Sequence, residues 1–259
     1  MTAAVRQPER ERRLAGALAE VTNRLEVHFG CPEPERRSSG DLLGSLIHTI
    51  LSQNTNDRNS GRAYRRLREC FPTYAEMHRA PAEEIGRCIR VAGLYRQKSV
   101  RILQLLDWAK RRFGGYDLRE ICSWPVEQAM AELTALKGVG PKTAAVVLLF
   151  RCGKDVFPVD THVHKILRRL GLVPERAAAE QTFRLVNPLV PPGKSLSLHV
   201  NLLKLGRTLC LARSPRCEAC PLLPLCDFAR RRLGEQRKDT RPQQPGGPAK
   251  AGQKGKVEA

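Results

Sequence analysis

Three observations predict an all-α protein. Apolar residues recur at three- and four-residue intervals in one segment after another. No stretch alternates apolar and polar residues with the period of two that a half-buried strand needs. Aromatics make up only 5% of the 259 residues, so Leu, Ala and Val carry most of the apolar surface, a composition that favours helices.

Residues 1–13 are charged, mixed in sign and read as a flexible N-terminus. Leu14, Leu18, Val21 and Leu25 put a helical stripe on 14–29, and "CPEPERRSSG" (31–40) reads as a linker. Leu42, Leu43, Leu46, Ile47, Ile50 and Leu51 then form one face of a strongly amphipathic helix. Helical segments follow at about 58–69, 73–79, 82–90, 96–113 and 125–135, each bounded by Gly or Pro. A helix over 141–151 is apolar on nearly every side. "PVDTHVHKILRRLGLV" (158–173) starts extended and turns helical near Val163, and further helices cover about 176–188 and 195–208. From 233 to 259 the chain is rich in Pro, Gly, Gln and Lys with almost no large apolar residue, and is expected to be a disordered basic tail.

The charge narrows the function. Lys and Arg outnumber Asp and Glu by 45 to 26, a formal +19, which calls for a polyanionic partner, nucleic acid before others. No run approaches the ~18 uncharged apolar residues of a membrane span, so no membrane partner is expected. "MTAAVRQPERERR" lacks the apolar core of a secretion signal, which points to an intracellular protein acting with DNA.

Nine cysteines divide into two groups. Cys31, Cys70, Cys88, Cys122 and Cys152 stand singly in helical patterns and read as buried thiols of a reducing compartment. Cys210, Cys217, Cys220 and Cys226, with gaps of six, two and five residues, read as a metal site. Tetrahedral zinc and a four-iron cluster both suit four thiolates; the long first gap favours iron–sulfur. Arg213 and Arg216 project from the first loop of this group, where they can meet a phosphate backbone or merely add surface charge.

"LKGVGPKTAAVVLLF" (136–150) carries a hairpin between two helices. Gly138 and Gly140 permit positive φ and close backbone approach, and Pro141 suits the first helical position. The N–H groups of the turn and of the second helix then form an anion nest for one phosphate. A nucleotide P-loop is excluded, because Pro141 and Leu136 occupy positions where that motif needs glycines. Lys142, in the first turn and expected to be partly buried beside the apolar run, is a candidate nucleophile. Asp160 precedes a helix, where a capping role and a catalytic one are both open on local grounds. His162 and His164 alternate, but no third ligand lies near them in sequence, so they are not read as a metal pair.

Together LKGVGPKTA, VDTHVHKI and C-x6-C-x2-C-x5-C, in this order and spacing, closely resemble the endonuclease III family of helix-hairpin-helix DNA glycosylases, over residues 14–230. The resemblance implies a six-helix barrel over 35–153. It also implies a discontinuous iron–sulfur domain from 14–34 and 154–232, with the substrate cleft between the two. It implies a [4Fe–4S] cluster on Cys210, Cys217, Cys220 and Cys226, Lys142 as nucleophile and Asp160 as catalytic carboxylate. Two loops, "ILSQNTND" (50–57) and "VAGLYRQKS" (91–99), resemble those the family inserts into the duplex, with Leu94 as apolar wedge. Asn54 stands where the family pattern usually has Gln, a shorter plug for the vacated space. Gln53, Asp57 and His162 are expected at the substrate pocket; Gly138, Gly140, Asn54, Leu94, Arg213 and Arg216 are expected at the DNA.

The activity so implied is that of a monomeric bifunctional glycosylase and abasic-site lyase acting on double-stranded DNA with damaged pyrimidines or abasic sites. A monofunctional uracil or thymine-mismatch glycosylase fits the scaffold, but Lys142 speaks against it. An adenine glycosylase would need an acidic residue where Thr49 stands and a further C-terminal domain. A non-catalytic DNA-binding module would need neither Lys142 nor Asp160.

Overall fold

The computed structural model describes residues 6–33 and 41–239, and every regular element among them is a helix. Among the described residues twelve α-helices run in order: α1 (Arg6–Phe29), α2 (Leu42–Ser52), α3 (Asp57–Cys70), α4 (Tyr74–Arg79), α5 (Ala82–Cys88), α6 (Tyr95–Phe113), α7 (Val126–Thr134), α8 (Pro141–Cys152), α9 (Thr161–Leu170), α10 (Ala179–Val186), α11 (Ser195–Thr208) and α12 (Asp227–Asp239). Short 3-10 turns at Arg90–Ala92, Arg119–Ser123, Asn187–Leu189 and Leu223–Leu225 join several of them.

The starts of these helices follow from local chemistry. Asp41, Asn56, Thr73 and Asp160 each accept a backbone N–H three residues on, which satisfies one of the donors left open in a first turn. Thr73 and Glu76 complete a reciprocal capping box. Ends are set by glycine in the left-handed region, as at Gly114, Gly153 and Gly171.

Two buried clusters divide the molecule. The first gathers α2–α8 around Leu46, Ile47, Ile50, Leu67, Ile102, Leu106 and Leu148. The second joins α1 to the C-terminal helices through Leu18, Val21 and Leu25 against Phe157, Val163, Ile166, Leu167, Leu198 and Leu202. The chain therefore leaves one core after α1, builds the other, and returns. Helix α8 faces both: it packs on α2 and α7 within the first core and on α10 and α11 of the second. Its apolar residues on nearly every side are thereby accounted for, with Thr143, Ala144, Ala145, Val147, Leu148 and Leu149 all buried.

Four departures from the sequence reading stand out. Helix α1 begins at Arg6, eight residues ahead of the expected start, with exposed charged residues carried as a solvent-facing extension. Helix α12 continues to Asp239, seven residues into the segment read as tail; the rest of that segment, from residue 240, lies outside the described residues, as do 1–5 and the linker residues 34–40. The expected helix over 176–188 shortens to Ala179–Val186, because Asn187-Pro188 tightens the last turn to 3-10. Four of the five scattered cysteines are not free thiols: Cys70 pairs with Cys88, and Cys122 with Cys152. Cys31, the fifth, is exposed.

Candidate active site and cysteine loop

The hairpin is built by a tight turn after α7. Val139 N–H donates to Leu136 C=O at 3.0 Å, and Gly138 takes φ 91°, open to glycine and strained for most other residues. Gly140 is different. Its φ of −86° suits any residue, and no atom of the protein lies within 4 Å of a Cβ placed there, so what its lack of a side chain leaves open is the approach from outside. No side chain caps α8, so the first N–H groups behind Gly140 and Pro141 have no intrahelical acceptor. Lys142 stands at this mouth and is exposed, not partly buried, because the buried face of α8 begins at Thr143.

Asp160 enters from the other core. Its Oδ1 accepts the Val163 N–H at 2.8 Å and starts α9, and no second hydrogen bond occupies Oδ2 among the described residues. A buried histidine stands in the field of both groups. His199, on α11, donates from Nδ1 to the Pro158 carbonyl at 2.9 Å and lies edge-on to Phe150 and Phe157. Burial pushes its imidazole below the ordinary range; the Asp160 charge opposes that push and the Lys142 charge adds to it. Nothing local in "SLSLHVNLL" marks His199 as special, since the arrangement is tertiary.

His162 takes a structural position. Its ring lies against Gly206 of α11, where a Cβ would sit 2.7 Å from Nδ1, so the contact requires glycine there; that nitrogen is buried without a partner. Gln53 is also engaged within the protein. Its Nε2 donates to Gly138 C=O at 2.7 Å, and its Oε1 accepts from Arg101 Nη1 at 3.0 Å. Both ends of the amide are therefore engaged within the protein, one joining the α2–α3 loop to the hairpin and the other joining it to α6. Asp57, in the first turn of α3, is almost fully exposed and faces Arg207 at 3.9 Å.

Asn54 and Leu94 share one feature. They are the two non-glycine residues with φ in the left-handed region among those described, at 52° and 47°. Both are exposed, Leu94 by 51%. Left-handed backbone at such residues costs about 1 kcal/mol or more and persists only where the surroundings impose it. Lys98 is part of that imposition. It is 1% exposed and donates to Leu51 C=O and Ala92 C=O, each at 2.8 Å, so one buried amine ties the roots of both loops.

The four remaining cysteines face one small apolar pocket lined also by Leu209, Pro215, Leu223, Phe228 and Ala229. Burial pushes the Cys220 thiol up to about 11, and charges at Cys210, Cys226 and Cys217 act in the same direction. Four such thiols can ionise together only beside a cation, which is the chemistry a cluster supplies. Protein hydrogen bonds also hold the loop. Arg169 is the centre of these: it donates to Cys210 Sγ (3.2 Å), Leu211 C=O (2.8 Å) and Ala212 C=O (2.8 Å), with its guanidinium 4.6 Å from the Phe228 ring centre. Arg213 and Arg216 are exposed on the same loop.

Comparison with known proteins agrees with this geometry. The profile of the HhH-GPD superfamily base excision DNA repair proteins matches residues 47–192. That of the iron–sulfur binding domain of endonuclease III matches 210–226, a segment that begins on Cys210 and ends on Cys226. Endonuclease III of Thermotoga maritima is 36% identical over 208 residues, 80% of this chain and 93% of the relative. A non-covalent endonuclease III–DNA complex superposes with a TM-score of 0.67 at 28% identity, covering 86% of this chain and 98% of that one. A trapped endonuclease III–DNA covalent intermediate, an estranged-adenine complex, gives 0.67 at 29% identity with the same coverage. The hairpin and the capped aspartate fall within the first matched segment and the cysteine loop is the second, and this chain belongs to the endonuclease III family of HhH-GPD base excision repair glycosylases with an iron–sulfur binding domain.

Proposed function

We propose that this glycosylase is bifunctional, excising oxidised pyrimidines from duplex DNA and then nicking the strand by β-elimination. The observation that carries this reading is the exposed amine of Lys142 at an uncapped helix mouth, with Asp160 entering from the second core and both acting on the same buried imidazole.

The duplex phosphate lies on the free N–H groups of the hairpin, and the damaged nucleotide is turned out of the stack. The neutral Lys142 amine attacks the anomeric carbon; the C1′–N bond breaks, and its electron pair leaves with the base, which takes up a proton. The free Asp160 oxygen stabilises the positive charge that develops on the sugar. The attached nitrogen gives up one proton, and its lone pair forms a C1′=N bond as the C1′–O4′ bond breaks. O4′ takes up a proton, and the sugar opens to an iminium that keeps one N–H. Removal of a C2′ proton then expels the 3′ phosphate, and water later hydrolyses the Schiff base to free Lys142. Leu94 and Asn54 fill the gap in the stack, a task for which their exposed, strained positions suit them. Cys210, Cys217, Cys220 and Cys226 would hold the [4Fe–4S] cluster, which would supply cross-links between the two ends of the loop bearing Arg213 and Arg216.

Borohydride reduction tests this directly. Wild-type protein on a duplex with one oxidised pyrimidine is expected to form a permanent crosslink, and Lys142→Gln to lose both crosslink and nick while still binding DNA. Nicking by Lys142→Gln at the wild-type rate would overturn the assignment. Base release by the wild type with neither crosslink nor nick would point to a monofunctional enzyme.

A further inference from the structure

We infer that a groove between α3 and the α5–Arg90 segment is a second phosphate-binding surface, which takes the DNA backbone beyond the lesion. One wall is the exposed face of α3, with Arg62, Arg65 and Arg66; the other carries Arg87 and Arg90. Glu69 is the one acidic side chain lining it.

The spacing and the pairing both favour a bound polyanion. Arg62, Arg65, Arg66 and Glu69 share one face of α3, while Ser60, Ala63 and Leu67 of the opposite face are buried. Arg62 and Arg66 are separated by ~6 Å of helix axis, a spacing that lets two guanidinium groups on one face engage different phosphates of a strand. Among the described residues Arg87 meets Glu84 at 3.6 Å, whereas Arg62, Arg65, Arg66 and Arg90 make no ion pair. Four guanidinium groups held together without acceptors repel one another, and a phosphodiester chain relieves that repulsion through charge-assisted hydrogen bonds.

Location identifies the occupant as the same duplex. α3 begins directly after the Asn54 loop, and the Arg90–Ala92 turn runs directly into Gly93 and Leu94. The groove therefore grows out of the roots of both strained loops. Its walls cannot drift apart, because the Cys70–Cys88 disulfide joins the ends of α3 and α5. A duplex engaged at Asn54 and Leu94 meets these arginines as it leaves.

The test is the salt dependence of binding on two lesion-centred duplexes, one short (about one helical turn) and one extended on both sides. Each phosphate contact contributes about 0.9 to the slope of log Kobs against log salt. Arg62→Gln/Arg65→Gln/Arg66→Gln is expected to flatten the slope by about 2–3 on the extended duplex. It should leave the short-duplex slope and the saturating single-turnover excision rate as in wild type. Arg87→Gln/Arg90→Gln, on the opposite wall, should flatten the same slope by about 1–2. Equal slopes for wild type and both variants on the extended duplex would overturn the proposal and leave the groove to a different ligand. An equal loss on both lengths would also overturn it, by placing the arginines at the lesion. The inference rests on duplex DNA as partner and not on the lysine chemistry; slopes measured in the Lys142→Gln background keep the two apart.

Discussion

The two cores use the same element, sulfur, in opposite ways. In the first, cysteines 18 and 30 residues apart are joined pairwise, Cys70 to Cys88 and Cys122 to Cys152. In the second, four unpaired cysteines crowd into residues 210–226 beside a single buried leucine, Leu222. A disulfide ties elements that a hydrophobic core has already brought together. The cysteine loop has almost no core of its own, and its shape depends on Arg169 and on whatever binds the thiols. One half is thus closed by covalent bonds within the chain, and the other by a bound group. The candidate catalytic residues are split in the same way, Lys142 from the first half and Asp160 from the second.

The largest expected effect tests that split. Asp160→Asn leaves the amine and the first core untouched, yet single-turnover base release should fall by about 10²–10³, the order seen when one positioned electrostatic group is removed from an active site. A wild-type rate would mean that the second core contributes no chemistry. Because the carboxylate also caps α9, the thermal stability of the variant should be measured beside the rate.

Next comes the bound group. Purified protein should be brown and carry about four irons per chain. Cys220→Ser should bleach it and raise hydrogen exchange in α9, α11 and α12, while α2–α6 stay protected. Uniform loss across both cores would show that they do not differ in this respect. A colourless, fully folded wild type holding one zinc would assign the loop to that metal.

Reduction of the disulfides is the mirror experiment, with a smaller effect. Loops of 18 and 30 residues correspond to about 3 kcal/mol of denatured-state entropy each, so Cys70→Ala/Cys88→Ala should lower the melting temperature by several degrees. The added exchange should lie in α3 and α5 and leave α9 and α11 as they were.

The smallest effect is on pH. Burial holds His199 and His164 of the second core, and His48 of the first, below the ordinary value of 6.5. A group whose folded pKa is depressed binds fewer protons folded than unfolded in that window. Stability should therefore be fully present above 6.5 and decline as pH falls through 6.5 towards the lower folded values. His199→Asn should flatten this decline, measured by denaturant midpoints between pH 7 and 5. An unaltered slope would remove His199 from the acid response.

How much of this could be read in the sequence depends on whether the signal is local. The stripe Leu42–Leu51, the Gly-Val-Gly-Pro turn and the 6-2-5 cysteine spacing are patterns within one segment, and the helices and turn appear at those places. What escaped is tertiary. The pairings of Cys70 and Cys122 with partners far along the chain have no local mark. Nor have Gln53 bound to Gly138 across 85 residues, His199 between two cores, or Arg169 gathering a loop more than forty residues away. Lys98 is the clearest instance: in "YRQKSVR" it reads as one more surface cation, yet it is the largest side chain buried to 1%.

Helix α8 carries one more consequence. Pressed on by α2 and α7 from one side and by α10 and α11 from the other, it is the common wall of the two halves. Lys142 is mounted on that wall as a tool is held in a fixed jaw. Only the side chain can swing; the backbone beneath it has no room to advance on a substrate. On the proposed chemistry the work of alignment then falls on the nucleic acid, which must bend and open until its sugar arrives at the amine. Sound DNA resists being bent and opened more than damaged DNA does, so if Lys142 is the nucleophile, as proposed, its fixed mount is itself a form of discrimination: the stiffness of the helix becomes a threshold that an intact duplex seldom crosses.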